Sequence, residues 1–393
     1  MLTLTVADKV LKSVYLDVVA EQINRRTSPF YNMVEKGSED VTGKDIVSPC
    51  RFGINGGIGC TSEEGNLPLS SPTSFLQLKA PLINIFGNLE ISDKVIRASQ
   101  GTTGSFVNLL NNELDSLLEA AKFNFGRMLF QDGSGILATV SDHTNSTTTI
   151  FAVDKVKHLM EGMVIDFVAS NGTIVSGGNK IVLIDRQQKT VKLSKPVNGV
   201  DVGDYMVLQG SYNNELYGLP YMFNNDIGTI YGNSRVALNY LLPVKYEVDS
   251  LSCDNMQQTL DNIEEKCGSI PNLMLMSYDI RRKYLSHLQS SRMNFDYMYL
   301  DGGFKTMSYN GIPMYADQFV DDNTMFLINS EDFKLQQLGD WSWLEGEGGR
   351  ILRQMDNKPA YGATLVKYAN LICTRPIAQS KLTINETVPD SEA

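Results

Sequence analysis

Histidine is scarce in this chain of 393 residues: there are only His143, His158 and His287, and none sits in a recognisable catalytic or metal-binding motif. A Ser-His-Asp triad or a histidine metal cluster would have to draw on these three, so neither is expected, and all three read as surface or structural residues. The five cysteines, Cys50, Cys60, Cys253, Cys267 and Cys373, are odd in number and scattered, with no C-x-x-C pair. That pattern speaks against a disulfide framework and against zinc, and it fits a reducing cytoplasm. Cys50 and Cys60 flank a Gly-rich stretch where two thiols could face each other across a hairpin, yet free thiols are the expectation. Long apolar runs are missing too, none approaching the roughly 18 to 20 residues that span a bilayer. Asp8, Lys9, Lys12 and Asp17 interrupt the N-terminal region where a secretory segment would lie. A soluble protein with no signal peptide and no membrane partner is expected. Positive charge is in deficit, with 34 Lys and Arg against 45 Asp and Glu and a formal charge of −11. A large cationic face for duplex nucleic acid is therefore excluded.

Other site types fail on detail. GINGGIG at Gly53 to Gly59 looks like a phosphate loop but lacks the Gly-Lys-Ser/Thr ending and runs into Glu-Glu-Gly rather than a helix. Asp201, Asp204, Asp321 and Asp322 belong to no twelve-residue calcium loop and read as turn residues. The two tryptophans, Trp341 and Trp343, alternate as on a strand, so one ring is expected to pack inward. No catalytic residue, cofactor or metal site is expected, and the chain does not read as an enzyme.

What is present is ordinary folding material, 42% hydrophobic and 20% charged, enough for two or three domains. From Thr5 to Arg26, Val10, Val14, Val18 and Ile23 approach helical spacing and predict an amphipathic arm. The stretch Thr61 to Thr73, with Gly65, Pro68 and Pro72, is too polar and too rich in Pro and Gly for a helix, and apolar runs flank it; a long protruding hairpin is its natural form. Phe106, Leu110, Leu114, Leu117, Leu118, Ala121, Phe125 and Met128 then recur at steps of three and four. They predict one helix of about 25 residues, roughly 37 Å, from an N-cap at Ser105 to the Gly133 to Gly135 turn, with Leu114, Leu117 and Leu118 facing a core. From Thr139 to Asn214 short β-type runs (MVIDFV, KIVLID, TVKLS, YMVLQ) alternate with Asn-Gly, Gly-Gly and Gly-Asp turns, predicting a small separate β-barrel. Met256, Leu260, Ile263 and Cys267 mark a helix closed by Gly268, a second helix begins near Asp279, and the tail after Leu382 is expected to fray. Arms that leave a core usually lie on a neighbouring subunit, so assembly is the function these features imply.

In order along the chain, EEGNLPLSSPTSFLQLKAPLINIFGNLEISDKVIRAS (63–99), ELDSLLEAAKFNFGRMLFQDGSG (113–135), NGIPMYADQFV (310–320), TMFLINSEDFKL (324–335) and YGATLVKYANLICTRPIAQSKL (361–382) resemble the major capsid proteins of tailed bacteriophages, of the Hong Kong ninety-seven fold. The resemblance implies an α+β phage capsid fold with a β-barrel-like insertion domain. Its parts would be an N-terminal arm (1–45), an extended loop (46–92), a peripheral domain with the spine helix (93–138), the insertion (139–214), a mainly axial domain (215–345), and a return to the peripheral domain with the tail (346–393). It also implies self-assembly as hexamers and pentamers into an icosahedral shell, by way of a procapsid, in the host cytoplasm. The shell would enclose double-stranded DNA without sequence-specific binding. Implied partners are a scaffolding protein, separate or already removed, a portal protein, and a head maturation protease or decoration protein. Glu63, Glu64, Leu67, Pro68 and Lys79 are the candidate assembly contacts. No Lys–Asn crosslink can be placed. Two other functions fit parts of the pattern: an encapsulin-type compartment, which shares the fold, and a β-rich carbohydrate-binding structural protein using Trp341 and Trp343.

Overall fold

The computed structural model describes residues 28–94, 103–143, 147–224, 228–290, 297–299, 305–346 and 351–385. The amphipathic arm expected at 5–26 lies outside them.

The periodic apolar stretch forms a helix over Thr103–Met128, 26 residues and roughly 39 Å at 1.5 Å per residue. It starts two residues before the expected cap. Leu114, Leu118, Phe125 and Met128 are buried, whereas Leu117 and Ala121 are only half-buried against the same core. The helix lies on a six-stranded sheet built around the long strand Ala360–Cys373, whose partners are Ile83–Ser92, Phe333–Gln337, Ser342–Trp343 and Arg353–Gln354, with Glu35–Gly37 outermost. Ile83–Ser92 pairs with it over ten residues, from Ile83↔Ala369 to Ser92↔Ala360. Period-2 alternation turns Ile85, Leu89 and Ile91 inward. Between them Gly87 lets the helix close in: a Cβ there would come within 3.1 Å of Leu117 Cδ1. The short helix Pro29–Met33 plugs one end of this core, with Phe30 edge-on to Phe333 at 5.3 Å and Tyr31 edge-on to Phe125 at 5.4 Å.

A second, seven-stranded sheet runs in the order Val244–Val248, Ser380–Ile384, Thr324–Ile328, Leu273–Met276, Ile312–Ala316, Lys305–Tyr309, Tyr297–Tyr299. Its middle strand, Leu-Met-Leu-Met, is buried on both faces, because the helices Cys253–Cys267 and Tyr278–Ser290 belong to one apolar cluster with it and the first core lies on the other side. The helix Cys253–Cys267 has the expected inward residues Met256, Leu260 and Ile263. Ser252 caps its start by accepting Asn255 N–H at 3.1 Å, and Gly268 ends it at φ +63°. Of the tail expected to fray, residues 386–393 lie outside the described residues. Thr383 and Ile384 continue the strand Ser380–Ile384, and Ile384 is buried.

Between the long helix and the rest of the body, six strands (Ile136–His143, Thr147–Val153, Val164–Val168, Ile174–Asp185, Thr190–Asn198, Tyr205–Leu208) close into a barrel with its own core, including Phe151 and Phe167 at 4.9 Å. Its two ends meet. Asn213 N–H donates to Ser134 C=O at 2.8 Å, Leu219 N–H donates to Leu129 C=O at 2.8 Å, and Gly218 sits directly against the carbonyls of Met128, Leu129 and Gln131. Beneath this junction the Arg127 guanidinium grips the Glu215 carboxylate through two hydrogen bonds of 2.8 and 2.6 Å, both side chains fully buried.

The tryptophan expectation is corrected. Both rings are buried, at 2% and 5% exposure. Trp341 precedes the two-residue strand Ser342–Trp343 and tucks against Phe125 at 6.0 Å. A sugar-stacking platform built on this pair has no exposed ring to offer.

Candidate assembly surface

The strands Asp45–Phe52 and Ser74–Pro81 pair antiparallel over their whole length, from Asp45↔Pro81 to Phe52↔Ser74. At the base the ladder is part of the body: Ile46, Ser48, Cys50, Leu78 and Ala80 are buried, Lys79 N–H donates to Tyr231 C=O at 2.9 Å, and Asn233 Nδ2 donates to Gln77 C=O at 2.8 Å. Beyond Phe52 the two arms leave the body together without regular pairing. Gly56 N–H still donates to Ser71 C=O at 3.1 Å, Pro68 lies beside Gly59, and the tip turns at Glu63 and Glu64, where Gly65 N–H reaches Ser62 C=O at 2.9 Å.

Nearly every residue from Gly53 to Thr73 is exposed, the apolar ones included: Ile54 82%, Ile58 91%, Leu67 84% and Leu69 90%, with Phe75 at 73% just inside the paired region. Isolated exposed apolar residues are ordinary, but five on one projecting ribbon form a surface that water alone does not favour. Of the residues singled out from sequence, Glu63, Glu64, Leu67 and Pro68 fall together on the outer half of this ribbon. Lys79 does not join them. It stands at the base, where its ammonium pairs with Asp45 at 3.0 Å in solvent, a contact worth at most about 1 kcal/mol. Ile54, Ile58, Leu69 and Phe75 were not anticipated; the signal available was apolar residues scattered through a Pro- and Gly-rich stretch with neither helical nor strand period. Cys50 and Cys60 are far from the hairpin partnership considered for them. The residue opposite Cys50 is Leu76, Cys60 is exposed on the outgoing arm, and both are free. Burial pushes the Cys50 thiol pKa up; its Sγ lies 2.8 Å from Thr374 C=O.

A second contact ties the barrel to the seven-stranded sheet. Lys157 Nζ donates to Asp322 at 2.8 Å and to Val320 C=O at 2.5 Å, Lys155 lies 3.6 Å from Asp321, and His158 Nε2 lies 3.4 Å from the same carboxylate. His158 is fully buried, which lowers its pKa and keeps the imidazole neutral at neutral pH. Asp321 is held well below the usual carboxylate range: burial opposes this, but the hydrogen bond with His158 and the charge of Lys155 outweigh it. An open cleft of about 320 Å³ beside this contact is lined by Phe130, Asp132, Ser134, Lys155, Asp321 and Lys381. Asp321 also faces Lys381, so the charges there compensate one another. Among the described residues no group of three His, Cys, Asp or Glu side chains is arranged to hold a metal ion.

No protein-family model matches the chain, and no curated protein sequence matches it. Solved structures do. A chain of the Cyanophage A-1(L) capsid asymmetric unit aligns with a TM-score of 0.51 at 13% identity, over 90% of this chain and 92% of that one. The holo-SrpI encapsulin complex from Synechococcus elongatus PCC 7942 (TM-score 0.49, 9% identity, 97% and 99% of the two chains) and the capsid of the native GTA particle (0.47, 10%, 92% and 91%) align over similar lengths. Like the cyanophage capsid chain, the protein has the phage capsid fold, α+β, with a closed barrel inserted in it.

Proposed function

We propose that this protein is the major capsid protein of a tailed bacteriophage, assembling as hexamers and pentamers into the icosahedral head shell that encloses double-stranded DNA. The observation that carries the reading is the outer hairpin, on a chain with a capsid protein's fold. Its apolar residues gain nothing from their own subunit and are exposed until a neighbour covers them. Glu63, Glu64, Leu67 and Pro68 are the proposed contact residues of that ribbon, and Lys79 a further one at its base. The role is structural and needs no cofactor. A charge of −11 per subunit suits a container for a polyanion, since confinement is steric and tight cationic binding would retard release. A scaffolding protein, a portal protein and a maturation protease or decoration protein are the partners such a shell calls for, and the virion capsid, assembled in the bacterial cytoplasm, is its place.

The test is electron microscopy and sedimentation of the purified protein, alone and co-expressed with the scaffolding protein from its gene neighbourhood. Closed shells or capsomers are expected. Protein that remains monomeric in both settings refutes the proposal, and shells that retain a specific enzyme cargo would move it to an encapsulin.

A further inference from the structure

The barrel carries a surface that its own packing does not require. Its strand Thr190–Asn198 runs between Thr147–Val153 and Ile174–Asp185, and Lys192 stands opposite Ile150 on one side and Leu183 on the other. One residue later the register slips: Leu193 pairs with Ile181, leaving Val182 as the extra residue of a β-bulge. A bulge breaks the alternation of faces. Ile181 and Ile184 point into the barrel, while both Val182 and Leu183 point out, at 52% and 57% exposure, with Ile150 at 44% across Lys192. Lys180, Lys192 and Lys195 are exposed around this apolar row, and none makes an ion pair among the described residues. The nearest carboxylate along the strand, Asp185, is turned into the adjoining hairpin, accepting the N–H groups of Gln187 and Gln188. Glu161 is engaged with Arg186 at 3.9 Å.

The tip of the outer hairpin is the complement of this face. Between Gly53 and Thr73 the chain has Glu63 and Glu64 and no Lys or Arg. Neither glutamate forms an ion pair among the described residues, and Ile58, Leu67 and Leu69 stand beside them almost fully exposed. The geometry points to one contact: the hairpin tip of one copy seats on the bulged outer face of a neighbouring copy's barrel. Ile58, Leu67 and Leu69 cover Ile150, Val182 and Leu183, and Glu63 and Glu64 meet Lys180, Lys192 and Lys195. This rests on the assembly reading and names the surface that receives the ribbon. The arm from Phe52 to Glu63 can extend up to about 35 Å beyond the paired strands, enough to cross a subunit boundary. Apolar cover supplies the affinity here, and the opposite charges select the partner face.

A charge-reversal cycle tests it, with full-length protein and scaffold co-expressed and particle yield read by sedimentation and microscopy. Glu63→Lys with Glu64→Lys, and separately Lys180→Glu with Lys192→Glu, should each lower particle yield at least tenfold while the melting temperature of the subunit is unchanged. Combining all four should restore yield to within about threefold of the unaltered protein. Zero-length carbodiimide coupling of unaltered particles assembled from mixed isotope-labelled and unlabelled subunits should give Glu63 or Glu64 joined to Lys180, Lys192 or Lys195 across copies. Either double reversal assembling normally, a quadruple variant no better than the doubles, or particles without such crosslinks would overturn the contact and leave assembly itself standing. Unaltered protein that forms no particles would overturn the assembly reading and the contact with it.

Discussion

Removing a guanidinium and a carboxylate from water costs several kcal/mol each, repaid only when the two pair with good geometry. Arg127 and Glu215 meet that condition with two hydrogen bonds, although Arg127 Nε finds no partner among the described residues. Glu215→Gln leaves a buried cation uncompensated and should destabilise the protein by about 3–5 kcal/mol in denaturant unfolding. The double variant Arg127→Met with Glu215→Leu should recover most of that loss, since shape is roughly kept and no charge is stranded. Nothing in the sequence announces this pair: 88 residues separate its members, with the whole barrel between them. His158 is a second residue whose meaning appears only in the fold. Its pKa is depressed by burial, so the unfolded chain takes up a proton at its ordinary pKa of 6.5 while the folded protein does not. Stability should therefore fall as pH drops below about 6.5, and keep falling until the folded pKa is passed. Asp321, also depressed, adds its own loss only as pH falls below the usual carboxylate value of 3.8. Melting temperatures from pH 7.5 to 5 should decline more steeply for the unaltered protein than for His158→Gln. Parallel curves would mean that folding leaves the His158 pKa where it is in the unfolded chain.

At the scale of elements, the helices were legible because their signals are local. Spacing alone marked the inward residues of Cys253–Cys267 and its Gly268 stop, and it placed the long helix to within three residues at its start. It was less reliable about depth. Leu114, Leu117 and Leu118 share one face by periodicity, yet Leu117, packed over Gly87, is only half-buried. Leu118→Ala should cost about 2–5 kcal/mol, the usual penalty for a buried leucine, and Leu117→Ala distinctly less. The junction below the barrel depends on a feature spacing cannot express. Gly218 has an ordinary φ of −69° and needs no backbone freedom, but a Cβ there would collide with three carbonyl oxygens. Gly218→Ala, mild on any substitution scale, should lower the melting temperature sharply or prevent soluble expression. Gly210→Ala, at φ +73° with open space around it, should cost only about 1 kcal/mol. Similar losses at the two sites would mean that the junction can relax.

For the whole molecule, a barrel-like insertion was readable from its runs of turn residues, and the structure closes it with six strands. Which strands pair was not readable, because the ladder joins distant segments, such as Tyr205↔Thr139. The projecting loop was visible from its Pro and Gly content, whereas its apolar character was hidden by the polar residues around it. That character is what separates folding from assembly. From Gly53 to Thr73 the ribbon adds no buried apolar residue to its own subunit, and ordering so long a loop is entropically neutral at best. Replacing residues 54–72 with a short Asn-Gly turn should keep the register from Asp45↔Pro81 to Phe52↔Ser74, because that ladder is anchored at its base by Tyr231 and Asn233. The shortened protein should melt within a few degrees of the unaltered one, or slightly above it, yet sediment as subunits or aberrant particles when scaffold is present. Normal shells from the shortened protein would show that the ribbon is not an assembly element. A large fall in melting temperature would show that it folds against its own subunit after all.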